Sequence, residues 1–572
     1  MKDFIKKEIE KAMEKLLSGK FKIIVRQGGV HADYSTNIVF KKVERLARAL
    51  DAGFGDVIQV GKKDVPPLQT LQENAEFLRK KLLESEDFKK YVSKIEIVNG
   101  FLNFWIKDEV FVKNIGEIIK TGEKYGSNDL LKGKKIMIEY TDPNPFKEFH
   151  IGHLMSNAIG ESIARMYEAR GADVNRACYQ GDVGLHVAKA IWGKLQKPEM
   201  TWGEAYAYGT MNYENNKEEV EEINRKIFSA SDKEINELYK QGREESLEHF
   251  KKIYKILDTK FDYNFFESKE GIEGKVIVEE FLKKGVFEKS DGAIVFHGEE
   301  YGLHTRVFVS SQGLPTYEAK ELGLNRAKFD KEPDISQSIV ITANEQSDYF
   351  RVVLKAMEQI FPDIAKKTKH IGHGLLRFAS GKMSSRKGNV ITGESLIGQV
   401  KELVFEKIKE CEFSESEKEK IAEVVAIAAI KYSILKQAIG GDIIYDFKKS
   451  ISFEGDSGPY LQYTYVRAMS VLKMAKEKGI KESLDIKGNI GDIEKILLRF
   501  PEVVEDAMEK YAPNYICSYL IELAHAFNSY YSKFQIVGEE KESPYRVSLT
   551  KAVAITIKNG LNLLGISAPE KM

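Results

Sequence analysis

Residues 135–154 read Lys-Ile-Met-Ile-Glu-Tyr-Thr-Asp-Pro-Asn-Pro-Phe-Lys-Glu-Phe-His-Ile-Gly-His-Leu. The first six residues have the pattern of a strand, and the proline- and asparagine-rich middle predicts a loop. Apolar residues then recur at helical spacing from Ile151 to about Arg170, Gly171 follows as a helix terminator, and Val174–Tyr179 has the pattern of a second strand. Strand, helix and strand in one short stretch predict a parallel βαβ unit, the start of a doubly wound sheet.

The turn between that first strand and its helix is a predicted phosphate site, because free N–H groups and the helix dipole favour an anion there. In place of a glycine fingerprint it carries His150 and His153, with Gly152 between them leaving room for a ligand against the backbone. Two imidazole donors at a helix N-terminus suit the charge that develops on a phosphate during transfer. The alternative is that the two histidines cap the helix or bind an adventitious metal.

A second motif occupies residues 381–389, Gly-Lys-Met-Ser-Ser-Arg-Lys-Gly-Asn. Glycines towards both ends and the cations Lys382, Arg386 and Lys387 predict a mobile loop that closes over a triphosphate and releases pyrophosphate. Taken alone, this segment has the composition of a solvated basic turn. Together with the two-histidine helix it is a specific combination.

The rest of the chain predicts two further domains around this α/β centre, so the fold class is α/β multidomain. Residues 1–112 have the pattern of a small α+β domain, with predicted helices at 2–17, 38–51 and 68–84 and predicted strands at 22–25, 57–60 and 95–106. Residues 113–400 form the Rossmann-like, parallel-sheet catalytic domain, with a charged helical insertion around 195–260. Residues 401–572 are almost wholly helical and predict an all-α bundle.

Composition narrows the class of protein without naming a function. The 572 residues carry 87 Lys plus Arg and 87 Asp plus Glu, so whole-chain charge gives no argument for nucleic acid. The N-terminus lacks the apolar segment of a signal peptide, and no apolar run is long enough to span a bilayer. Three dispersed cysteines exclude a disulfide framework, and dispersed histidines without cysteine partners predict no protein metal site. We therefore expect a cytoplasmic protein with no membrane partner, and a monomer.

The motifs together resemble the class I aminoacyl-tRNA synthetases, whose HIGH and KMSKS signatures match His150-Ile-Gly-His153 and Lys382-Met-Ser-Ser-Arg386. More narrowly, the chain resembles the arginyl-tRNA synthetase family over nearly its whole length. That narrower likeness rests on five stretches, which are Asp33–Asn37, Gly100–Phe104, Phe261–Ser268, Gly455–Arg467 and the ending Asn559–Met572. The resemblance implies that the first domain contacts the tRNA elbow and that the helical domain, of the DALR type, binds the anticodon.

An arginine substrate needs an anionic, bidentate partner for its guanidinium. Tyr317 and Glu321 are spaced i, i+4 and share one face of a predicted helix. The resemblance implies that this tyrosine and carboxylate hold the guanidinium, although the family usually has aspartate where Glu321 stands. Further expected arginine contacts are Gln346 in the pocket, Asn144 at the backbone end and Glu139 at the amino group. The alternative for Tyr317 and Glu321 is an ordinary helix face in which Lys320 is an ion-pair partner.

The resemblance also implies ATP as a substrate, Mg²⁺ on its phosphates and tRNA as the acceptor of L-arginine. The expected ATP-binding residues are His150, Gly152, His153, Lys382, Met383, Ser384 and Ser385. The expected catalytic residues are His150, His153, Lys382 and Lys147. Lys147 is included because Ser385 stands where the family signature has its second lysine, and other arginyl enzymes lacking that lysine use the upstream one. The alternative is a solvated loop lysine.

Two other functions remain compatible with the motifs. One is a class I synthetase or nucleotidyltransferase of different specificity, which the Tyr317/Glu321 pocket and the C-terminal ending argue against. The other is a synthetase-like RNA-binding protein without catalysis, which has no need of complete signatures. We expect neither of these functions but the ligation of arginine to its tRNA through arginyl-adenylate. The resemblance also implies that activation requires bound tRNA.

Overall fold

The computed structural model of the chain describes residues 1–14, 26–27, 32–36, 68–98, 101–378, 392–486 and 489–572. The strands predicted at 22–25 and 57–60, the helix predicted at 38–51 and the whole of 381–389 lie outside these residues. The chain divides into two compact units. The first comprises residues 1–125, 468–502 and 525–556, and the second comprises 126–467, 503–524 and 557–572. The boundaries expected at 112 and 400 stay predictions.

The first unit contains a four-stranded antiparallel sheet in the order β1-β2-β4-β3. Its strands are β1 (Arg26–Gln27), β2 (Tyr34–Thr36), β3 (Val92–Val98) and β4 (Phe101–Ile106). Where one strand pattern was predicted over 95–106, the structure has two strands, β3 and β4, that pair antiparallel. The helices of this segment are α1 (Lys2–Glu14), α2 (Leu68–Glu84), α3 (Glu86–Tyr91) and α4 (Asp108–Thr121). Buried side chains such as Phe88 and Phe104 form its apolar core.

The second unit is built on a five-stranded parallel sheet in the order β12-β11-β5-β6-β7. Its strands are β5 (Lys135–Glu139), β6 (Asp173–Gln180), β7 (Tyr263–Phe266), β11 (Ile335–Ala343) and β12 (Thr368–His373). Helix α5 (Ile151–Ala169) joins β5 to β6, which confirms the predicted parallel βαβ unit. Strand β5 lies at the centre of this sheet, and its side chains from Ile136 to Glu139 are buried, as expected of a parallel sheet whose two faces are covered.

Helices and two small sheets complete this part of the chain. The small sheets pair β8 (Glu288–Ser290), β9 (Ala293–Phe296) and β10 (Arg306–Val309), and, separately, β13 (Leu376–Phe378) with β14 (Ile443–Tyr445). The helices up to the region of β14 are α6 (Leu185–Gln196), α7 (Trp202–Met211), α8 (Lys217–Ser229), α9 (Lys233–Ile256), α10 (Glu267–Lys283), α11 (Tyr317–Lys331), α12 (Ser347–Ile360), α13 (Pro362–Lys367), α14 (Gly393–Lys407), α15 (Glu415–Leu435) and α16 (Phe447–Ser450). The helical insertion expected around 195–260 corresponds to α7, α8 and α9.

The C-terminal part is helical, as predicted. Its helices are α17 (Gly458–Glu477), α18 (Asp492–Leu498), α19 (Phe500–Glu509), α20 (Asn514–Lys533) and α21 (Ser543–Leu563). The parallel-sheet centre and the helical C-terminal part confirm the predicted α/β multidomain class. Within the described ranges, no helix has both the length and the apolarity needed to cross a membrane.

Candidate active site

The loop that joins β5 to α5 is held in an unusual backbone conformation. Thr141, Asp142 and Phe146 have positive φ values of 80°, 46° and 69°, a region that residues with a side chain rarely adopt. The surroundings hold this shape, because the Asp142 carboxylate accepts the Tyr179 N–H at 2.7 Å and the Phe146 N–H donates to Ser246 Oγ at 2.9 Å. Strained backbone of this kind clusters at functional sites, where packing fixes it. The loop therefore presents residues 143–149 in one defined arrangement.

His150 and His153 cap helix α5 with their own side chains. The helix begins at Ile151, so His150 is the N-cap residue, and its Nδ1 accepts the Gly152 N–H at 3.1 Å. His153 Nδ1 in turn accepts the His150 N–H at 3.2 Å, and the two rings stack with centroids 3.5 Å apart. Since both Nδ1 atoms accept, each ring carries its proton on Nε2. Capping of the helix was the alternative interpretation of this pair. The two histidines do cap the helix through Nδ1, and each keeps an Nε2–H group that can donate to a ligand.

Both histidines are neutral at physiological pH. Burial and, as a smaller contribution, the charge of the Lys147 ammonium together lower the pKa of His150 to about 4. Burial likewise holds the pKa of His153 well below its ordinary value, with the charges of His150 and Lys147 acting in the same direction. A neutral imidazole that donates from Nε2 stabilises negative charge by hydrogen bonding and does not act as an acid.

Lys147 lies beside these histidines and is not a remote loop residue. Its Nζ is 5.0 Å from the centroid of the Tyr206 ring. Its charge also depresses the pKa of His186, which burial lowers to about 4. Because the Lys147 ammonium contributes to the lowered pKa values of three imidazoles, it lies close to all three.

The predicted arginine pocket is a buried cluster of carboxyl groups around a single lysine. Glu139, at the end of β5, forms an ion pair with Lys328 of α11, and both side chains are buried. Glu321 is 4% exposed, and its Oε1 accepts the Asn325 amide at 2.9 Å. Burial raises the pKa of Glu321 to about 8, with the Glu139 charge adding to the effect. Burial and the Glu139 charge also raise the pKa of Asp142 well above its ordinary value.

A second buried ion pair borders this cluster. Lys320 donates to Glu267 Oε2 at 2.6 Å, and the Glu267 charge contributes to the raised pKa of Glu321. The alternative interpretation of this helix face made Lys320 an ion-pair partner, and the partner that Lys320 has in the structure, Glu267, comes from the start of α10. Glu267, Asp142 and Lys328 were not among the predicted site residues. Of these three, only Glu267 has a recognisable sequence signal, because it stands in the Phe261–Ser268 stretch that resembles the family.

The Asn144 side chain lies directly against the backbone of Gly181, close to Glu267. A Cβ built on Gly181 would lie 2.2 Å from Asn144 Oδ1 and 3.1 Å from Glu267 Oε1, so only glycine leaves room for this approach. The neighbouring Asp182 is fully buried and accepts from Arg243 Nε at 2.8 Å and Ser268 Oγ at 2.7 Å. This fixes the end of β6 against the start of α10.

Tyr317 and Gln346 occupy the open side of the predicted pocket. Tyr317 is 64% exposed, and its carbonyl accepts the Tyr349 hydroxyl at 3.0 Å. Gln346 is exposed in the short 3₁₀ turn that follows β11. Because carboxyl ends of parallel strands meet at one edge of a sheet, this turn lies on the same edge as Glu139.

The structure therefore brings together the predicted residues at 139, 144, 147, 150, 152, 153 and 321 and places Tyr317 and Gln346 at their rim. Lys382, Met383, Ser384 and Ser385 lie outside the described residues. The first described residue after them, Thr392, pairs with His150, and the Gly393 N–H donates to Phe149 O at 2.7 Å. Thr392 and Gly393 are thus held beside the histidine pair.

The chain matches known proteins over most of its length. Residues 114–447 match the family described as tRNA synthetases class I (R), catalytic domain, and residues 461–572 match the DALR anticodon binding domain. The chain is 33% identical over 508 residues to the arginine–tRNA ligase of Clostridium perfringens, covering 85% of this chain and 89% of that protein. It is 32% identical to the enzyme of the same name from Clostridium kluyveri, with 86% and 90% covered.

Solved structures show the same fold. Arginyl-tRNA synthetase from Thermus thermophilus superposes with a TM-score of 0.79 at 22% identity, covering 100% of both chains. The corresponding structure from Plasmodium falciparum gives a TM-score of 0.77 at 19% identity, covering 100% of this chain and 99% of that one.

Proposed function

The chain belongs to the class I arginyl-tRNA synthetases, and from that membership we propose how its own residues ligate arginine to tRNA. The enzyme uses ATP to activate L-arginine and passes the arginyl group to tRNA. The proposal for the individual residues rests on two features that lie next to each other at one edge of the parallel sheet. A buried anionic pocket lies beside a helix N-terminus that presents two neutral imidazoles.

In the activation step an oxygen of the arginine carboxylate attacks the α-phosphorus of ATP, and the bond from that phosphorus to the bridging β-phosphate oxygen breaks. Pyrophosphate departs with the bond electrons, and arginyl-adenylate remains. We assign His150 and His153 to the charge that develops on the α-phosphate, through their Nε2–H groups and the helix N-terminus. Lys147 and Lys382 serve the departing phosphates as point charges. Gly152, Met383, Ser384 and Ser385 are proposed to line the ATP site.

Mg²⁺ is proposed to enter with the ATP phosphates and not on a protein site. Across the described ranges, no group of three or more His, Cys, Asp and Glu side chains has an arrangement that could hold a metal ion. The triphosphate oxygens of ATP are the hard donors that Mg²⁺ prefers.

The arginine side chain is proposed to enter the carboxyl cluster. The guanidinium replaces the proton held by the Glu321 and Asp142 pair and binds the Glu321 carboxylate, with Tyr317 and Gln346 closing the rim. Asn144 and Glu139 bind the backbone end of the substrate, as the sequence predicts. Lys328 already neutralises Glu139 in part, so Glu139 also balances charge within the pocket. Glu267, bridged to Lys320, adds negative potential.

In the transfer step a hydroxyl of the terminal adenosine of tRNA attacks the carbonyl carbon of the adenylate, and AMP leaves. Family membership supports the 2′-hydroxyl and a requirement for bound tRNA during activation. We also propose that the enzyme acts as a cytoplasmic monomer.

Charging of tRNA with each of the twenty amino acids tests the function directly. We expect arginine alone to be attached, in a reaction that depends on ATP. Charging with lysine or glutamate but not with arginine would overturn the proposal. Unchanged charging by His153→Ala would overturn the assigned role of the histidine pair.

A further inference from the structure

The last helix of the chain ends in a defined motif. Gly565 has a φ of 64°, a left-handed conformation that favours glycine. The Gly565 N–H donates to Asn562 O and the Ile566 N–H donates to Leu561 O, each at 2.9 Å. This pair of bonds is a Schellman motif, which ends a helix and turns the chain away. The remaining carbonyl groups of such a helix end need partners from elsewhere.

Those partners come from α5 and α15. Ser162 Oγ donates to Leu563 O at 2.8 Å, and Arg165 Nη1 donates to Asn562 Oδ1 at 2.9 Å and to Asn562 O at 3.2 Å. Lys431 Nζ donates to Gly565 O at 2.7 Å. Two cations at the C-terminal end of a helix also complement the negative end of its dipole.

The same two cations hold the loop that follows α9. Arg165 Nη2 donates to both Asp258 O and Asp258 Oδ2 at 2.9 Å, and its Nε donates to Glu161 Oε1 at 2.7 Å. Lys431 Nζ donates to Leu257 O at 2.7 Å. Lys431 is 1% exposed, and burial lowers its pKa to about 8, so it stays charged at neutral pH. Arg165 and Lys431 therefore connect helix α15, which carries Lys431, with three other segments, which are helix α5, the loop after α9 and residues 562–565.

One of these three segments is the helix that carries the histidine pair. Arg165 lies twelve residues after His153 on α5, which corresponds to about 18 Å along the helix axis. Gly160 of this helix also packs against the Tyr140 ring, and Tyr140 donates to Glu161, the partner of Arg165. A helix held rigidly at one end transmits its axial position to the other end.

We infer that the segment 562–565 is a positioning element of the active site, which acts through Arg165 and Lys431 to set where helix α5 places His150 and His153. Removal of this anchor lets α5 shift along its axis while the arginine pocket on α11 keeps its shape. The inference rests on the proposed function of the histidine pair. It assigns Arg165 and Lys431 as positioning residues, since neither contacts the reacting atoms.

The test compares Lys431→Met with Lys418→Met. Lys418 is a matched control, because it lies on the same helix, is 8% exposed and also donates to a backbone carbonyl, Lys409 O, at 2.7 Å. Arginine-dependent pyrophosphate exchange with tRNA present gives kcat and KM. We expect Lys431→Met to lower kcat by roughly 10- to 100-fold, the scale of a misplacement of about 1 Å, with the arginine KM within about twofold. Lys418→Met should leave both constants within about twofold of the unaltered enzyme.

A kcat of Lys431→Met that equals that of Lys418→Met would overturn the inference, and so would a rise in the arginine KM that matches the loss of kcat. If Lys431→Met does not fold, Asn562→Ala makes the same test, because it removes one acceptor of Arg165 and leaves Lys431 in place. Absence of arginine-dependent exchange in the unaltered chain would overturn the proposed function instead. Amide hydrogen exchange at residues 151–156 then decides the positioning inference alone, with faster exchange in Lys431→Met than in Lys418→Met supporting it and equal exchange contradicting it.

Discussion

Glu321 accepts a hydrogen bond from Asn325, one turn further along helix α11, with 2.9 Å between Oε1 and Nδ2. A neutral amide is the direct partner of this buried carboxyl group, while the nearest ammonium, Lys328, pairs with Glu139. The cluster of Glu139, Asp142 and Glu321 thus contains more carboxyl groups than Lys328 can neutralise. We therefore expect the free pocket to retain a proton that a cationic substrate displaces.

Arginine binding should therefore depend on pH. The raised pKa of Glu321, about 8, means that the carboxyl group is protonated at neutral pH and gives up its proton to bind the guanidinium. Below pH 8 the affinity should rise with pH, by about tenfold per unit for one released proton. Calorimetry in two buffers of different ionisation enthalpy measures the released proton directly. Glu321→Gln should abolish the release and weaken binding by about 2–5 kcal/mol. Proton release that persists in Glu321→Gln would assign the proton to another group.

The same substitution should have the opposite effect on folding. A carboxyl group whose pKa is raised in the folded state loses stability as the pH rises from its unfolded value towards its folded one. The free energy of unfolding of Glu321→Gln should equal that of the unaltered protein near pH 4.5 and exceed it near pH 8, by a few kcal/mol at most. Urea unfolding at the two pH values measures this. A difference that does not change with pH would contradict the pKa shift of Glu321.

Lys147 should matter for chemistry more than for binding. Lys147→Ala should lower kcat for adenylate formation by roughly 10²–10³-fold, the usual loss of one preorganised donor. Adding Ser385→Lys should restore part of the rate, because the two positions share one task. Lys189→Ala is a matched control, since its ammonium also lies over a tyrosine ring, 4.1 Å from the centroid of Tyr213. Pyrophosphate exchange with tRNA present measures all of these variants. Near-normal exchange by Lys147→Ala would show that Lys147 is a solvated loop lysine without a role in adenylate formation.

Gly181 should tolerate no side chain. Gly181→Ala places a Cβ 2.2 Å from Asn144 Oδ1, so Asn144 has to leave its position and the arginine KM should rise by roughly tenfold or more. Gly398→Ala, in helix α14, is the control because no atom lies within 4 Å of its Cβ. That control should gain up to about 1 kcal/mol of stability with unchanged kinetics. Equal arginine KM values for the two variants would show that Asn144 does not bind the substrate.

The tetrapeptide His-Ile-Gly-His occurs twice in this chain, at 150–153 and at 370–373. The second copy lies in strand β12, where His370 stacks on Phe350 and His373 Nδ1 contacts Gly374 O. The sequence could distinguish the two copies because only the first opens the helix of a βαβ unit. Local pattern thus predicted the fold class and the position of the histidine pair.

Other parts of the site could not be predicted in this way. The pairs Lys328–Glu139 and Lys320–Glu267 join elements far apart in sequence, and no local periodicity reports such contacts. The anchoring of α5 by Arg165 and Lys431 depends on the end of α21, which lies 397 residues beyond Arg165 at the contact with Asn562. Strand periodicity also failed at Val98, since it does not register a chain reversal between two strands of similar composition.

The double use of the histidine side chains has a consequence for alanine scanning of this enzyme. Each Nδ1 completes the backbone hydrogen bonding of the first helical turn, and each Nε2 carries the proton available to a ligand. An alanine at either position removes both contributions, so the measured loss of rate mixes a frayed helix start with a missing donor. Asparagine can cap a helix but presents no imidazole Nε2–H. Only the difference between asparagine and alanine variants, read alongside helix stability, separates the architectural contribution of His150 and His153 from their chemical one.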